Sequence, residues 1–351
     1  MEKNNNSQNQ KNKCCPSQLR YDEVSRDWVV IAPGRGKRPE EYKRQRKIMP
    51  MDSKDCVFCN LTADSKPVLA FAHGLQTADG SLPADWSLAV IPNKFPAFCA
   101  PAAGTKICKQ HVGPVYHSMD AAGFCEIAIT RDHNLHIGTM DLPAVEEVIS
   151  AYQARYLMLK KNKFVKYISI FHNHGVEAGA SQPHPHSQII TSPLVDVDLA
   201  NALANSKKYY KKYKKCLACV MTEWELKDGA RMVCENADFV ALCPFASKSA
   251  FQVVISPKKH SPNFENITDG QKKNLTQIFS AVIKKICKGL GDPAYNFYLH
   301  TAPCDNKDYG YYHWHFTIMP KTATMAGFEL GTRIEISTIE PERVAEYLRG
   351  Q

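Results

Sequence analysis

The chain carries the same order of parts twice, and that repetition limits its fold more than any other feature. The first pass opens on a Cys-x-x-Cys pair, Cys56 and Cys59, and runs through a strand entering a turn at 90–96 (VIPNKFP). A strand-like EIAIT (126–130) follows, then Arg131-Asp132-His133, a helix over about 142–160 and a strand FVKYISIF (164–171). A loop then leads into His184-Pro185-His186. The second pass opens on Cys216 and Cys219 and goes through FVAL (239–242) and the strand FQVVIS (251–256) to His260. A helix over about 269–288, a strand YNFYLH (295–300) and a loop into His313-Trp314-His315 complete it.

The single histidine precedes the paired ones by 51 positions in the first pass and 53 in the second. Such an ordered set reads as an internal duplication of one α+β unit. Helical spacing puts Val145, Val148, Ile149, Tyr152 and Tyr156 on one face of the first helix. Leu275, Ile278, Phe279, Val282 and Ile286 do the same for the second. The expected class is α+β, an antiparallel sheet with helices. The expected division is a disordered tail (1–18), a catalytic half (19–193), a basic linker (194–215) and a second half (216–351).

A length of 351 residues suits two ordinary domains or one duplicated domain with a continuous core, and 44% hydrophobic content suits a globular protein. No apolar run approaches the roughly 18–20 residues that cross a bilayer. The opening MEKNNNSQNQKNK has no hydrophobic stretch of a secretion signal and no arginine-rich transit pattern. The expected location is the cytoplasm, with no membrane partner. A net charge of +9 suits an anionic partner, but much of it sits in Lys207–Lys215, which reads as a solvated helix face. Thirteen cysteines in a chain of this size without an export signal point to reduced thiols and metal ligation.

Each Cys-x-x-Cys turn presents two thiolates to one side of a tight loop, two corners of a tetrahedral zinc site. Imidazole is the usual complement. His133 and His184 are the candidates in the first half, His260 and His313 in the second, giving two closed Cys2His2 sites. His111, His117 and His136 compete with His133 by spacing; His133 is preferred because, like His260, it follows a strand end.

The stretch from Phe171 to Gln188 is the most informative. A strand ends at Phe171, and a loop of small residues lets backbone N–H groups approach a phosphate. The strand then restarts at the histidines, and residues two apart share a face, so His184, His186 and Gln188 line one side. Neutral imidazole is a competent nucleophile near pH 7, and its attack on an α-phosphorus gives a phosphoramidate that a second phosphate can break. Gln188 offers an amide donor to the phosphoryl oxygen and no proton-transfer group that would favour water.

At these residues the chain resembles the galactose-1-phosphate uridylyltransferase branch of the histidine-triad superfamily. Its motif His-Pro-His-Gly-Gln or His-Ser-His-Ser-Gln is matched by His184-Pro-His-Ser-Gln188, and the similarity covers Leu19 to about Arg349. The resemblance implies two tandem histidine-triad-like units, with His186 as nucleophile and Cys56, Cys59, His133 and His184 as the first zinc set. It implies that Arg35 and Arg38, in WVVIAPGRGKRP (28–39), contact the phosphates of a nucleotide-sugar or a partner subunit. It places the base and ribose at Asn93, Lys94 and Phe95, and the phosphates at Asn173, Gly179, Ala180, Ser181 and Gln188. The sugar end falls at Phe328 and Glu329, and the resemblance implies a homodimer.

The implied activity is UDP-glucose—hexose-1-phosphate uridylyl transfer, exchanging a nucleoside monophosphate between a nucleotide-sugar and a sugar 1-phosphate. The complete second set, Cys216, Cys219, His260 and His313, and Ser187 in place of glycine look more like a plant-type ADP-glucose phosphorylase, whose acceptor is inorganic phosphate. A hydrolase of the superfamily would carry a third histidine where Gln188 stands. A zinc-stabilised nucleic-acid-binding protein would explain the Cys-x-x-Cys pairs and the charge, but not the His-Pro-His-Ser-Gln segment; no nucleic-acid partner is expected.

Overall fold

The computed structural model describes residues 18–32, 42, 51–77, 81–102, 107–112 and 114–351. Arg35 and Arg38, and the tail up to residue 17, lie outside the described residues.

Two long helices set the layers. α1 (Leu142–Leu159) starts where the Asp141 carboxylate accepts from Ala144 N–H at 3.0 Å, with a proline in its first turn. The five residues expected on its inner face are all buried. α4 (Asp269–Leu290) opens on a capping box, Thr268 with Gln271, and ends on left-handed Gly291. Its apolar stripe is buried from Leu275 to Leu290. Between them in the chain come α2 (Val197–Tyr213) and α3 (Leu217–Asp228); the last two helices are α5 (Gly327–Thr332) and α6 (Pro341–Arg349).

Both long helices lie on one face of an eleven-stranded antiparallel sheet. The first half supplies β3 (Leu69–Ala72), β4 (Leu75–Gln76), β5 (Leu88–Pro92), β8 (Cys125–Thr130), β9 (Tyr167–His174) and β10 (His186–Ser192). The second half supplies β11 (Met232–Glu235), β12 (Phe239–Leu242), β13 (Val253–Pro257), β14 (Tyr295–His300) and β15 (His315–Pro320). The order is β11-β12-β13-β15-β14-β9-β10-β8-β5-β3-β4, so the halves meet at β14 and β9. Pairing there sets His172 opposite Phe297, Asn173 opposite Asn296 and His174 opposite Tyr295. Outside this sheet are a small one, β1 (Gln18–Tyr21), β2 (Trp28–Ile31) and β16 (Ile336–Ser337), and the hairpin β6 (Lys109–Val112) with β7 (Tyr116–Met119).

Two sequence expectations are corrected. The strand expected at 164–171 is shifted and continues through His172, Asn173 and His174. These polar residues break the apolar pattern, but β10 pairs with the strand as far as His172 and β14 as far as His174, which outweighs local preference. The strand carrying the paired histidines begins at His186, not His184. The solvated helix face expected around Lys207–Lys215 is present: α2 is capped by Asp196, and Lys207, Lys208, Lys211 and Lys212 are exposed on it.

Alternation along the central strands assigns the faces. Ile168, Ile170, His172 and His174 of β9 and Ser187 and Ile189 of β10 point to the helices. Phe171 and Asn173 of β9, His186 and Gln188 of β10, and Asn296 of β14 therefore share the opposite, open face. A satellite cluster of Cys56, Phe58, Trp86, Ala89 and Ile129 covers part of that face and seats the first Cys-x-x-Cys turn on it.

Candidate active site and metal centres

The structure brings Cys56, Cys59, His133 and His184 together, with one potential ligand atom from each lying within 4.8 Å of the others. Cys59 Sγ is 3.1 Å from His133 Nδ1 and 3.4 Å from His184 Nδ1, and Cys56 Sγ is 3.5 Å from His184 Nδ1. His184 Nε2–H donates to the Thr130 carbonyl at 2.7 Å, which turns Nδ1 to the thiols. Of the competing histidines, His136 joins a different cluster and His117 lies on β7.

Cys216, Cys219, His260 and His313 form a second set of the same kind. Cys219 Sγ stands 3.4 Å from both imidazole Nδ1 atoms, while His260 Nε2 and His313 Nε2 donate to the carbonyls of Gly310 and Pro257. In each pair one thiol resists ionisation: burial and the Cys56 thiol push Cys59 up to about 11, and Cys216 pushes Cys219 up as well. Two thiolates in contact need a cation between them, so the donor sets fit a metal ion. All eleven cysteines among the described residues are free thiols.

His186 lies beside the first set, at the start of β10, and is 7% exposed. Its Nδ1 is 2.9 Å from the carbonyl of His184, so Nδ1 carries the proton and Nε2 keeps its lone pair. Burial lowers its pKa, and the hydrogen bond to His184 opposes that, so the ring is neutral near pH 7. The Phe58 ring sits 5.2 Å from the His186 ring and 5.8 Å from that of His184. A single segment, 184–186, thus carries a metal-set histidine and the candidate nucleophile.

The loop from Gly175 to Ser181 connects β9 to this segment. Gly175 and Gly179 both hold positive φ, 85° and 86°, which a side chain would strain. Between them lies one tight turn, closed by Ala178 and Ala180 N–H groups donating to the Gly175 carbonyl. Asn173 is fastened by Asn296, whose amide donates to Asn173 Oδ1 and to the Ala178 carbonyl, each at 2.8 Å. Asn296 belongs to the second half, and sequence reasoning missed it; only the register across β9 and β14 reveals it.

Ser187 was read in the sequence only as a departure from glycine. Its hydroxyl faces the helices, 2.5 Å from Tyr152 OH and 3.0 Å from His172 Nδ1. The second-half counterpart of His186 is His315, which is half-buried, with Thr317 where Gln188 stands in the first half. Gln188 therefore has no glutamine counterpart in the second half.

Asn93, Lys94 and Phe95 form the turn after β5, where Asn93 Oδ1 accepts from Phe95 N–H at 3.0 Å and Phe95 is 82% exposed. Phe328 and Glu329 stand on α5, where Glu329 caps the helix by accepting from Ala326 N–H. Among the described residues, no hydrogen bond, ion pair or ring contact joins these five residues to His186.

A family model for the N-terminal domain of galactose-1-phosphate uridyl transferase matches residues 6–196, and a model for a domain of unknown function matches 120–350. The ADP-glucose phosphorylase of Arabidopsis thaliana is 30% identical, over 95% of this chain and 92% of its own length. The galactose-1-phosphate uridylyltransferase of Thermotoga maritima is 29% identical, over 95% of this chain and 98% of its own length. Among solved structures, the Arabidopsis thaliana ADP-glucose phosphorylase with bound ADP-glucose superposes with a TM-score of 0.78 at 28% identity, covering 95% of this chain and 99% of that one. The chain belongs to the galactose-1-phosphate uridylyltransferase family of enzymes. Among the described residues no helix is long and apolar enough to cross a membrane.

Proposed function

We propose that the protein transfers a nucleoside monophosphate between a nucleotide-sugar and a phosphate acceptor through a nucleotidyl-histidine at His186. The observation that carries this is the hydrogen bond from His186 Nδ1 to the His184 carbonyl, which leaves Nε2 as the attacking atom. Nε2 bonds to the α-phosphorus, the bond from phosphorus to the sugar-phosphate oxygen breaks, and the sugar 1-phosphate leaves. The His184 carbonyl stabilises the charge that develops on the ring. An acceptor phosphate oxygen then attacks the same phosphorus and the P–N bond breaks, which restores neutral His186.

Gln188, on the same face, donates its amide to the phosphoryl oxygen, while Asn173, Gly179, Ala180 and Ser181 hold the phosphates. Asn93, Lys94 and Phe95 receive the base and ribose, and Phe328 and Glu329 the sugar. A zinc ion held by Cys56, Cys59, His133 and His184 would fix the backbone that carries His186; a second, held by Cys216, Cys219, His260 and His313, would brace the other half. The two halves, 19–193 and 216–351, act as one unit in the cytoplasm, and a homodimer is the proposed assembly.

The first reading of the substrates is UDP-glucose with a hexose 1-phosphate. ADP-glucose with inorganic phosphate is a second reading, supported by the likeness to the Arabidopsis thaliana phosphorylase. The test is incubation with α-phosphate-labelled UDP-glucose and, separately, ADP-glucose. The expected result is acid-labile, base-stable label on the protein with one of them, absent in His186→Ala. Galactose 1-phosphate or inorganic phosphate then releases it and identifies the acceptor. Full exchange by a folded His186→Ala variant would overturn the proposal.

A further inference from the structure

Behind the sheet, on the helix side of the seam between the halves, lies a third cluster that the nucleotidyl transfer does not use. His136 comes from the turn before α1, Cys287 from the last turn of α4, and Asp292 from the residue after Gly291. Their ligand atoms lie within 4.8 Å of one another. His136 Nε2 is 3.6 Å from Asp292 Oδ1, longer than a hydrogen bond, and the Cys287 thiol donates to the same oxygen at 3.7 Å. Those lengths are close to the edge of a tetrahedron around a cation bonded at about 2.0–2.3 Å. The two Cys2His2 sets show sulfur–nitrogen separations of 3.1–3.5 Å.

Two further features shape the place. His174 Nε2 donates to Asp292 Oδ1 at 3.0 Å and so orients the carboxylate. Gly138 lies so close that a Cβ there would stand 2.9 Å from both Cys287 Sγ and the His136 ring. The turn can therefore pack over the cluster only with glycine. His136 is 7% and His174 4% exposed, whereas the Asp292 side chain is 38% exposed and leaves a way in from solvent.

We infer that His136, Cys287 and Asp292 bind a third divalent cation, of the zinc class, that staples the first half to the second. One imidazole, one thiolate and one carboxylate are a borderline-soft donor set, with a fourth position for water. Binding puts the His136 ring proton on Nδ1. Gly138 N–H, which donates to Nδ1 at 3.2 Å, loses that acceptor, and the metal–nitrogen bond at Nε2 offsets the loss. The staple joins the turn beyond His133 and the end of β9 to the C-terminus of α4.

The test is the zinc content of the full chain, equilibrated with zinc and desalted, for the wild type and for Cys287→Ala and Asp292→Asn. One ion fewer per chain is expected in each variant, and equal contents overturn the inference whether or not His186 carries the chemistry. A variant that unfolds would shed ions for a trivial reason, so the wild type supplies a second measurement. Iodoacetamide alkylation of Cys287, mapped by peptide mass spectrometry, should slow at least tenfold when zinc is restored to chelator-treated protein. An unchanged rate overturns the inference as well.

Discussion

Asn296, on a strand of the second half, donates its side-chain amide to Asn173 of the first half at 2.8 Å and to the Ala178 carbonyl at the same distance. One side chain thereby fixes both ends of the tight turn between Gly175 and Gly179. The duplication thus does more than double a unit: the second half supports the first-half loop that is proposed to hold the phosphates. Asn296→Ala should lower kcat/KM for nucleotidyl exchange by on the order of 10–100-fold through misplacement of that loop. Steady-state kinetics check this, and a variant of unaltered kcat/KM would separate the loop from the reaction.

Ser187 bridges Tyr152 OH and His172 Nδ1 from inside the core. Burial holds the Tyr152 phenol protonated and the His172 imidazole neutral, so neither replaces a lost partner by ionising. Ser187→Gly should cost about 1–3 kcal/mol of stability, because it leaves two buried polar groups short of a partner. Urea unfolding with an unchanged slope and a lower midpoint is the expected signature.

Much of this was legible in the sequence, for local reasons. The faces of both long helices follow from spacing, and the two Cys2His2 sets follow from the repeated order of Cys-x-x-Cys, single histidine and paired histidines. What stayed hidden depends on pairing between distant strands. Nothing local tells that β9 and β14 are neighbours, so the extension through His172, Asn173 and His174 and the reach of Asn296 could not be read. The two roles on β10 were half visible. Alternation put His186 and Gln188 on one face, but the partners of Ser187 on the other come from α1 and β9.

His300 gives a pH dependence with a definite sign. Burial, reinforced by His315 and Lys248, lowers its pKa from 6.5 to about 3. Its ring packs 4.9 Å from that of His315 and 5.0 Å from that of Tyr298. As pH falls below 6.5 the unfolded chain takes up a proton that the folded protein refuses until about pH 3. The contribution is therefore complete above 6.5, shrinks as the solution is acidified, and is gone below the folded value. Each bound proton of difference tilts stability by about 1.4 kcal/mol per pH unit. His300→Asn should flatten the fall in unfolding free energy between pH 6 and 4 by nearly that slope; parallel curves for variant and wild type would contradict it.

The two Cys2His2 sets should fail differently when broken. Cys56 and Cys59 hold His184, and the His184 carbonyl holds the proton of His186 Nδ1, so damage to this set reaches the proposed nucleophile through a single tripeptide. Cys56→Ser should remove one ion per chain and lower turnover by on the order of 10–100-fold, the usual scale when the support of a reactive group is loosened. Cys216→Ser should also remove one ion, but its set braces α3, the turn around His260 and the start of β15, remote from His186 along the chain. Its main effect should be a lower Tm with most of the turnover retained at moderate temperature. Metal analysis by mass spectrometry, thermal melts and kinetics on the same preparations separate the two. Equal loss of turnover in both variants would mean that the second set supports the reaction as directly as the first.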